Sequence, residues 1–378
     1  MFSTLRSSQL TSSQNNRARS DFAELLPLLV EGSSAMQTIA PRVWENGIPA
    51  LRRLALLGRV AESLRDANGG YTLPAKLRDH MRAASVVAAH HQRTLVWEAD
   101  RVASALRGLD APVVLLKGGA YAIAGLPPAR GRLASDIDIM VPRDYLPATE
   151  AALLSAGWEA TKLDAYDQRY YRTWMHELPP LRHALRGTFV DVHHSILPLT
   201  ARLKPDASLL FEAALPVTGT RFRVLSPIDM VLHCATHLFY DGELSNGLRD
   251  LLDFHDLLTH FAGAPGFWDD LLPRAQQLDL QLPLFYALRY SARFLATPIP
   301  EPVVSEATRY GPSRVLMTLM DVVVKLTMLP GPRSAAGSLA QMMLYVRSHY
   351  LRMPLYLLVP HLLRKSWLRI SQSDSGGE

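Results

Sequence analysis

A chain of 378 residues that is 48% hydrophobic and 20% charged has the composition of a folded globular protein, with length for about two or three packed units. Its formal charge of +5 is spread along the sequence, which suits an anionic substrate such as a nucleotide and provides no clear nucleic-acid-binding module. A lone cysteine, Cys234, excludes an intrachain disulfide framework or a cysteine zinc knuckle. No run reaches the ~18 apolar residues of a membrane span, and a cytoplasmic location is expected.

Residues 1–20 are Ser/Asn/Arg-rich without an apolar core, and are expected to be a disordered tail and not a secretory signal. Residues 21–110 read as a helical region. "DFAELLPLLVEG" opens on an Asp cap and stops at Gly32. The long segment after Leu73 carries one amphipathic stripe through Leu77, Met81, Val86, Leu95, Ala99, Val102 and Leu106, up to Gly108.

Between residues 111 and 199 the texture changes. "PVVLLK" reads as a strand, Gly118-Gly119 as a turn and "AYAIAGL" as a helix. "SDIDIMV" alternates as a strand, and "DYLPATEAALLSAGWEA" reads as a helix stopped at Gly157. A β-prone stretch follows, with its clearest strand at "TFVDVHHSI". This alternation predicts a small α/β unit inside an α+β chain. Residues 200–370 turn helical again, with patterns at "PIDMVLHCATHLFYD", "GLRDLLDFHDLLTHFA", "FWDDLLPRAQQLDL" and "PLFYALRYSARFLA", and more after Pro312. Residues 371–378 are expected to be a second disordered tail.

The chemistry concentrates in "LLKGGAYAIAGLPPARGRLASDIDIMVP". On an extended "SDIDIMV", Asp136 and Asp138 share one face, with Cα atoms roughly 6–7 Å apart. Two carboxylates held that close repel and lose solvation unless a cation compensates. In "TFVDVHHSI", Phe189, Asp191 and His193 share a face, so a neighbouring pair of strands makes Asp191 a third acid. Three acids plus substrate phosphates form a usual Mg²⁺ site. A plain solvent-facing edge strand would also carry alternating aspartates. Gly118 and Gly119 at a strand–helix junction allow close approach of an anion, or serve only as a turn.

The order of apolar strand, Gly-Gly, helix, "DID" strand and later strand acid resembles the DNA polymerase β-like nucleotidyltransferase superfamily. More narrowly, "LLKGGAYA", "GRLASDIDIMV" and "VDVHHS" resemble the bacterial family of uncharacterised nucleotidyltransferases. That resemblance implies a small mixed-sheet core between N-terminal helices and a C-terminal helical domain. It implies transfer of a nucleoside monophosphate from an NTP to an acceptor hydroxyl with Mg²⁺, or Mn²⁺ in its place. Asp136, Asp138 and Asp191 would be the catalytic metal ligands, and Gly118 and Gly119 would hold the triphosphate. The acceptor expected is a small molecule or a protein. Sixteen residues separate Gly119 from Asp136, a longer gap than is usual in the superfamily, and "LPPARGR" is expected to loop beside the site.

Lys117 and Arg132 are candidate phosphate contacts, whereas Arg130 reads as a solvated loop residue. His193 is a candidate contact to phosphate or acceptor, and His194 a structural residue. Trp158, Trp174 and the Tyr170-Tyr171 pair read as core or rim. Arg249, Asp250 and Asp253 are expected to line the cleft or to form ion pairs on a helix surface. His233 and His237, or His255 with Asp256, raise an alternative metal phosphohydrolase reading. Both lack the companion ligands of such sites. A nucleotide-binding or partner-binding protein without catalysis is the other alternative.

Overall fold

The computed structural model describes residues 22–358 apart from 33, 36–38, 67–73, 135, 162–164, 241–243, 245–246 and 330–333. The two expected tails, 1–20 and 371–378, lie outside the described residues. Helices surround one mixed sheet of strands β1 (Val114–Leu115), β2 (Asp136–Met140), β3 (Trp158–Ala160), β4 (Leu181–His183), β5 (Phe189–His193), β6 (Leu215–Pro216) and β7 (Arg223–Val224). Their order is β3-β4-β5-β2-β1-β7-β6.

The middle of the sheet follows from the alternation. Ile137 and Ile139 on β2, with Val190 and Val192 on β5, put β-branched side chains on one buried face, which leaves the carboxylates on the other. β2 and β5 run parallel in a register that pairs Asp138 with Asp191. β1 lies antiparallel to β2, Leu115 against Ile139, within the buried run Val113–Leu116. A strand buried on both faces is apolar throughout, and this one is.

Two strands lie past the boundary expected at residue 199. β7 pairs in parallel with β1, and β6 closes that edge. Each is two residues long, too short for a period-two pattern to mark.

The N-terminal helices are α1 (Leu26–Glu31), α2 (Pro41–Arg53), α3 (Leu57–Asp66) and α4 (Ala75–Ala105). α1 stops at Gly32, as its sequence predicts. The stripe on α4 is buried at its other predicted positions, but Val86 is 62% exposed and Ala88 takes the inward place. A stripe drawn over 31 residues drifts around the helix, because 3.6 residues per turn matches no fixed short repeat.

α5 (Lys117–Ile123) follows β1 at once, and α6 (Leu146–Ser155) follows β2. The β-prone reading after Gly157 is corrected at α7 (Ala165–Trp174). Its aromatics recur at i, i+4 and meet along one helix side, Tyr166 stacked on Tyr170 at 6.4 Å and Tyr170 edge-on to Trp174 at 5.8 Å. α8 (Ala207–Ala213) starts from Asp206, whose side chain caps Ser208 N–H.

The predicted C-terminal helices appear as α9 (Pro227–Tyr240), α10 (Gly247–Phe261), α11 (Phe267–Gln277) and α12 (Gln281–Leu295). They are followed by α13 (Glu301–Thr308), α14 (Arg314–Met328) and α15 (Ala335–Arg352). α10 buries Leu248, Leu251, Leu252 and Leu258 in the helical bundle. Its aspartates Asp250, Asp253 and Asp256 recur every third residue and form a ridge of their own. Each meets an arginine: Arg249 at 2.9 Å, Arg132, and Arg59 at 2.5 and 2.7 Å respectively. The "LPPARGR" segment makes a tight turn at Pro127–Ala129 and packs on α3, where the backbones of Gly58 and Gly131 touch. A Cβ on Gly58 would lie 2.3 Å from the Gly131 carbonyl oxygen, so neither glycine tolerates a side chain. The long gap before Asp136 is therefore a strap tying the sheet to α3 and α10. No helix among the described residues is long and apolar enough to cross a membrane.

Candidate active site

The carboxylate face of the sheet looks into a cleft closed by α9 and α10. Two chambers of about 270 and 400 Å³ share Lys117, His233, His237, Arg249 and Asp250. The first adds Gly118, Arg132, Asp136, Asp138 and Asp253. Tyr171, His176, Glu177, Asp191, His193 and Arg352 join the second. All three sequence-predicted acids thus border one continuous cleft.

Asp138 is 3% exposed, and its Oδ1 accepts hydrogen bonds from Lys117 Nζ at 2.8 Å and His193 Nε2 at 3.1 Å. Burial alone would raise its pKa, but the Lys117 ammonium and the His193 bond hold it well below the usual carboxylate range. Both bonds fall on Oδ1, which leaves Oδ2 for another cation. Asp136 stands exposed at the start of β2, on the wall of the first chamber.

Asp191 lies beside Asp138 by strand register, and its environment acts in the opposite direction. Burial first, then the charges of Asp138 and Glu177, push its carboxyl up to about 7. Its Oδ1 is buried and accepts no hydrogen bond among the described residues. A buried carboxylate oxygen without a donor is costly, and a divalent cation removes that cost. Hard oxygen donors from adjacent strands, one of them orphaned, fit Mg²⁺ or Mn²⁺.

The turn from β1 into α5 is strained at Lys117, whose φ is +45°, a left-handed conformation unusual for a residue with a long side chain. That twist is what returns the ammonium over Asp138. The glycines do not form the turn expected from the sequence. They occupy the first turn of α5 itself. A Cβ on Gly118 would lie 3.1 Å from the Ala134 Cβ and 3.4 Å from Arg132 Nε, so close packing favours glycine there. Gly119 packs on Leu115 at ordinary contact distance and does not line either chamber.

Arg132 reaches across the cleft to Asp253 on α10 and lies over the Tyr121 ring at 5.7 Å. Desolvation would weaken its charge, but Asp253 and Asp250 more than offset that and raise its pKa further. Arg130 borders a separate hollow beside Arg59 and Glu62. His194 is buried and faces the Met175 carbonyl at 3.3 Å, in keeping with a structural residue. Trp158 is core, whereas Tyr171 lines the second chamber.

The helical-domain histidines divide in two. His255 Nδ1 bonds Thr297 Oγ1 at 2.8 Å while Asp256 is taken by Arg59, so that pair is spent on packing contacts. His233 and His237 border the cleft, with His237 Nδ1 3.8 Å from Asp250. Burial, with the Lys117 charge, depresses the His233 pKa to about 3. It is thus a neutral wall of the cleft at pH 7. Because the unfolded chain takes up a proton near pH 6.5 and the folded one near 3, His233 favours unfolding as pH falls through that window. His233→Phe is expected to shallow the acid side of a stability-versus-pH curve; an unchanged slope in urea melts would contradict a neutral buried imidazole.

Sequence reasoning missed His176 and Glu177. They follow the aromatic helix α7 in an irregular segment, and only its backbone pairing beside β5 brings them to the cleft. The adjacent His-Glu in "MHELPP" was the only local signal.

No curated protein and no solved structure matches the sequence. The sequence profile of a family described as uncharacterised nucleotidyltransferase matches residues 40–296, from the start of α2 to the end of α12. That span takes in the whole sheet and both walls of the cleft, with Arg352 alone among the lining residues beyond it. With more than half its length matched and the three acids gathered on one face, the chain belongs to the uncharacterised nucleotidyltransferase family.

Proposed function

We propose that the protein moves a nucleoside monophosphate from an NTP to a hydroxyl of a small-molecule or protein acceptor and releases pyrophosphate. The observation that carries this reading is the β2–β5 register, which sets Asp191 beside Asp138 with a buried oxygen that lacks a donor among the described residues. In this reading the sheet with α5 and α6 is a polymerase β-like core. The N-terminal helices brace it, and the C-terminal helical domain supplies the opposite wall.

Asp136, Asp138 and Asp191 hold Mg²⁺, or Mn²⁺ in its place; the bound ion supplies charge neutralisation for the phosphates and a more acidic acceptor hydroxyl. Lys117 serves as the resident counter-cation of Asp138 and turns toward the triphosphate when nucleotide enters. Gly118 allows the triphosphate to approach the α5 backbone, with Gly119 completing that helical turn. Arg249 and Arg132 add positive charge along the first chamber. Asp191 orients the acceptor hydroxyl and takes its proton. The acceptor oxygen forms its bond to the α-phosphorus while the α–β bridging P–O bond breaks. The electron pair leaves with pyrophosphate. His193 holds Asp138 in position from behind. The second chamber, with Tyr171, His237 and Arg352, receives the acceptor.

The raised Asp191 pKa gives this reading a pH signature. The cation must displace a proton from a carboxyl that titrates near 7, so Mg²⁺ affinity should climb as pH rises to about 7 and level off above it. Calorimetry of Mg²⁺ binding in two buffers of different ionisation enthalpy should report about one proton released per ion at pH 6 and little at pH 8.5. Equal proton release at both pH values would contradict Asp191 as a ligand. The activity itself is tested by pyrophosphate release from each NTP in the presence of hydroxyl acceptors. Release that requires Mg²⁺ and intact Asp136 supports the proposal. Nucleotide binding with no release from any NTP supports a non-catalytic binder instead.

A further inference from the structure

His193 is a two-sided residue. Its Nε2 is spent on Asp138, at 3.1 Å, and its Nδ1 points the other way, 3.3 Å from Glu177 Oε2. The backbone around Glu177 is held beside β5 by hydrogen bonds. Leu178 N–H donates to the Val192 carbonyl at 2.8 Å, His194 N–H donates to the His176 carbonyl at 2.8 Å, and Glu177 bridges His193 in antiparallel fashion. The same pairing sets the His176 and His193 rings 5.3 Å apart. One donor atom each from His176, Glu177 and His193 falls within 4.8 Å of the others.

We propose that His176, Glu177 and His193 bind a transition-metal ion of the Zn²⁺ class on the wall of the second chamber, separate from the Mg²⁺ carboxylates. Two borderline imidazole nitrogens with one hard carboxylate oxygen make a mixed donor set that suits Zn²⁺ or Co²⁺, and the nitrogens discriminate against Mg²⁺, which demands oxygen and keeps its water. The Nδ1–Oε2 separation of 3.3 Å matches the spacing of two ligands around one tetrahedral ion, about 3.3–3.4 Å for bonds of about 2.0–2.1 Å. Both imidazoles are more than nine-tenths buried, whereas Glu177 is half-buried, and all three residues border the chamber. Three protein ligands with the fourth position toward a cavity is the pattern of an open site.

Asp138 completes the arrangement. A metal-bound imidazole usually donates its second N–H to a carboxylate, which fixes the tautomer and strengthens the ligand. A metal on His193 Nδ1 leaves Nε2–H to donate to Asp138, the contact already in place. The ion would thus anchor from behind a residue proposed to hold Mg²⁺. The site does not depend on the nucleotidyl-transfer reading, because its ligands are a different set.

The test is calorimetric titration of the chelator-stripped full-length protein with Zn²⁺ in the presence of millimolar Mg²⁺. Parallel visible spectra with Co²⁺ would report its coordination. The wild type is expected to bind one Zn²⁺ per chain without displacement by Mg²⁺. Affinity should fall by tenfold or more in both His176→Ala and Glu177→Gln, with loss of the Co²⁺ visible bands, and stay unchanged in Asp136→Asn. Glu177→Gln is nearly isosteric and decides the matter alone if circular dichroism shows His176→Ala unfolded. Absence of a stoichiometric site, binding unaltered in Glu177→Gln, or displacement by Mg²⁺ would each overturn the proposal. Loss of the Zn²⁺ site in Asp136→Asn would also overturn it, because the ion would then sit among the three aspartates.

Discussion

Asp138→Asn is expected to lower pyrophosphate release by about 10³-fold or more, and to weaken the fold as well. The first effect follows from the loss of a metal-binding charge at the point where Mg²⁺ and phosphate meet. The second follows from burial. Asp138 is the buried counter-charge that Lys117 and His193 share, and an asparagine removes the charge from both contacts. Loss of such charge-assisted bonds costs about 1–3 kcal/mol each way they are counted. Asp136 separates the two effects. It is exposed, so Asp136→Asn should reduce the rate comparably while moving the urea midpoint very little. Paired measurements of pyrophosphate release and chemical denaturation check both variants. A near-wild-type rate in Asp138→Asn would contradict the metal-site account.

Arg132→Ala is expected to be the most destabilising single change at the cleft, by about 3–5 kcal/mol. Arg132 is largely buried, paired to Asp253 and laid over Tyr121. Without it, Asp253 remains buried three residues from Asp250, where burial and that neighbouring charge already raise its pKa. The unpaired acid must then take up a proton or draw in water. Arg132→Ala with Asp253→Ala should therefore recover part of the loss, because the second change removes the orphaned charge. Equilibrium urea denaturation of the two singles and the double reads the coupling. Additive losses would show that the pair contributes no interaction energy across the cleft. Arg132 thus has a structural duty whatever it does for phosphate.

Local pattern carried much of this protein, and distance hid the rest. The strand alternation around Asp136 and Asp138 was legible because one face is isoleucine and the other acid. The pairing of Asp191 with Asp138 needed the assumption that two strands 53 residues apart are neighbours, and the sheet makes them so. The helix α7 was not legible as one, because aromatic and β-prone residues share a composition while only their i, i+4 spacing separates the two outcomes. The glycines were read as a turn, and only Gly118 is packed tightly enough to favour glycine. The left-handed φ falls on Lys117, and Gly118 is small because Ala134 and Arg132 press against it. Ion pairing of Arg249 with Asp250 was within reach of the sequence, yet the arginines of Asp253 and Asp256 are Arg132 and Arg59, more than a hundred residues upstream, where no periodicity points. The same holds for Glu177, which becomes part of the cleft only through an isolated bridge to His193.

The central claim is that nucleotide and divalent cation meet at Asp136 and Asp138, and a thermal-shift titration with each NTP, with and without Mg²⁺, tests it most directly. A ligand that binds only the native state raises the melting temperature by mass action. The wild type should gain a shift with at least one NTP that requires Mg²⁺, and an Asp136→Asn/Asp138→Asn double variant, confirmed as folded, should lose it. A Mg²⁺-dependent shift of equal size in that variant would place the nucleotide elsewhere and contradict the account.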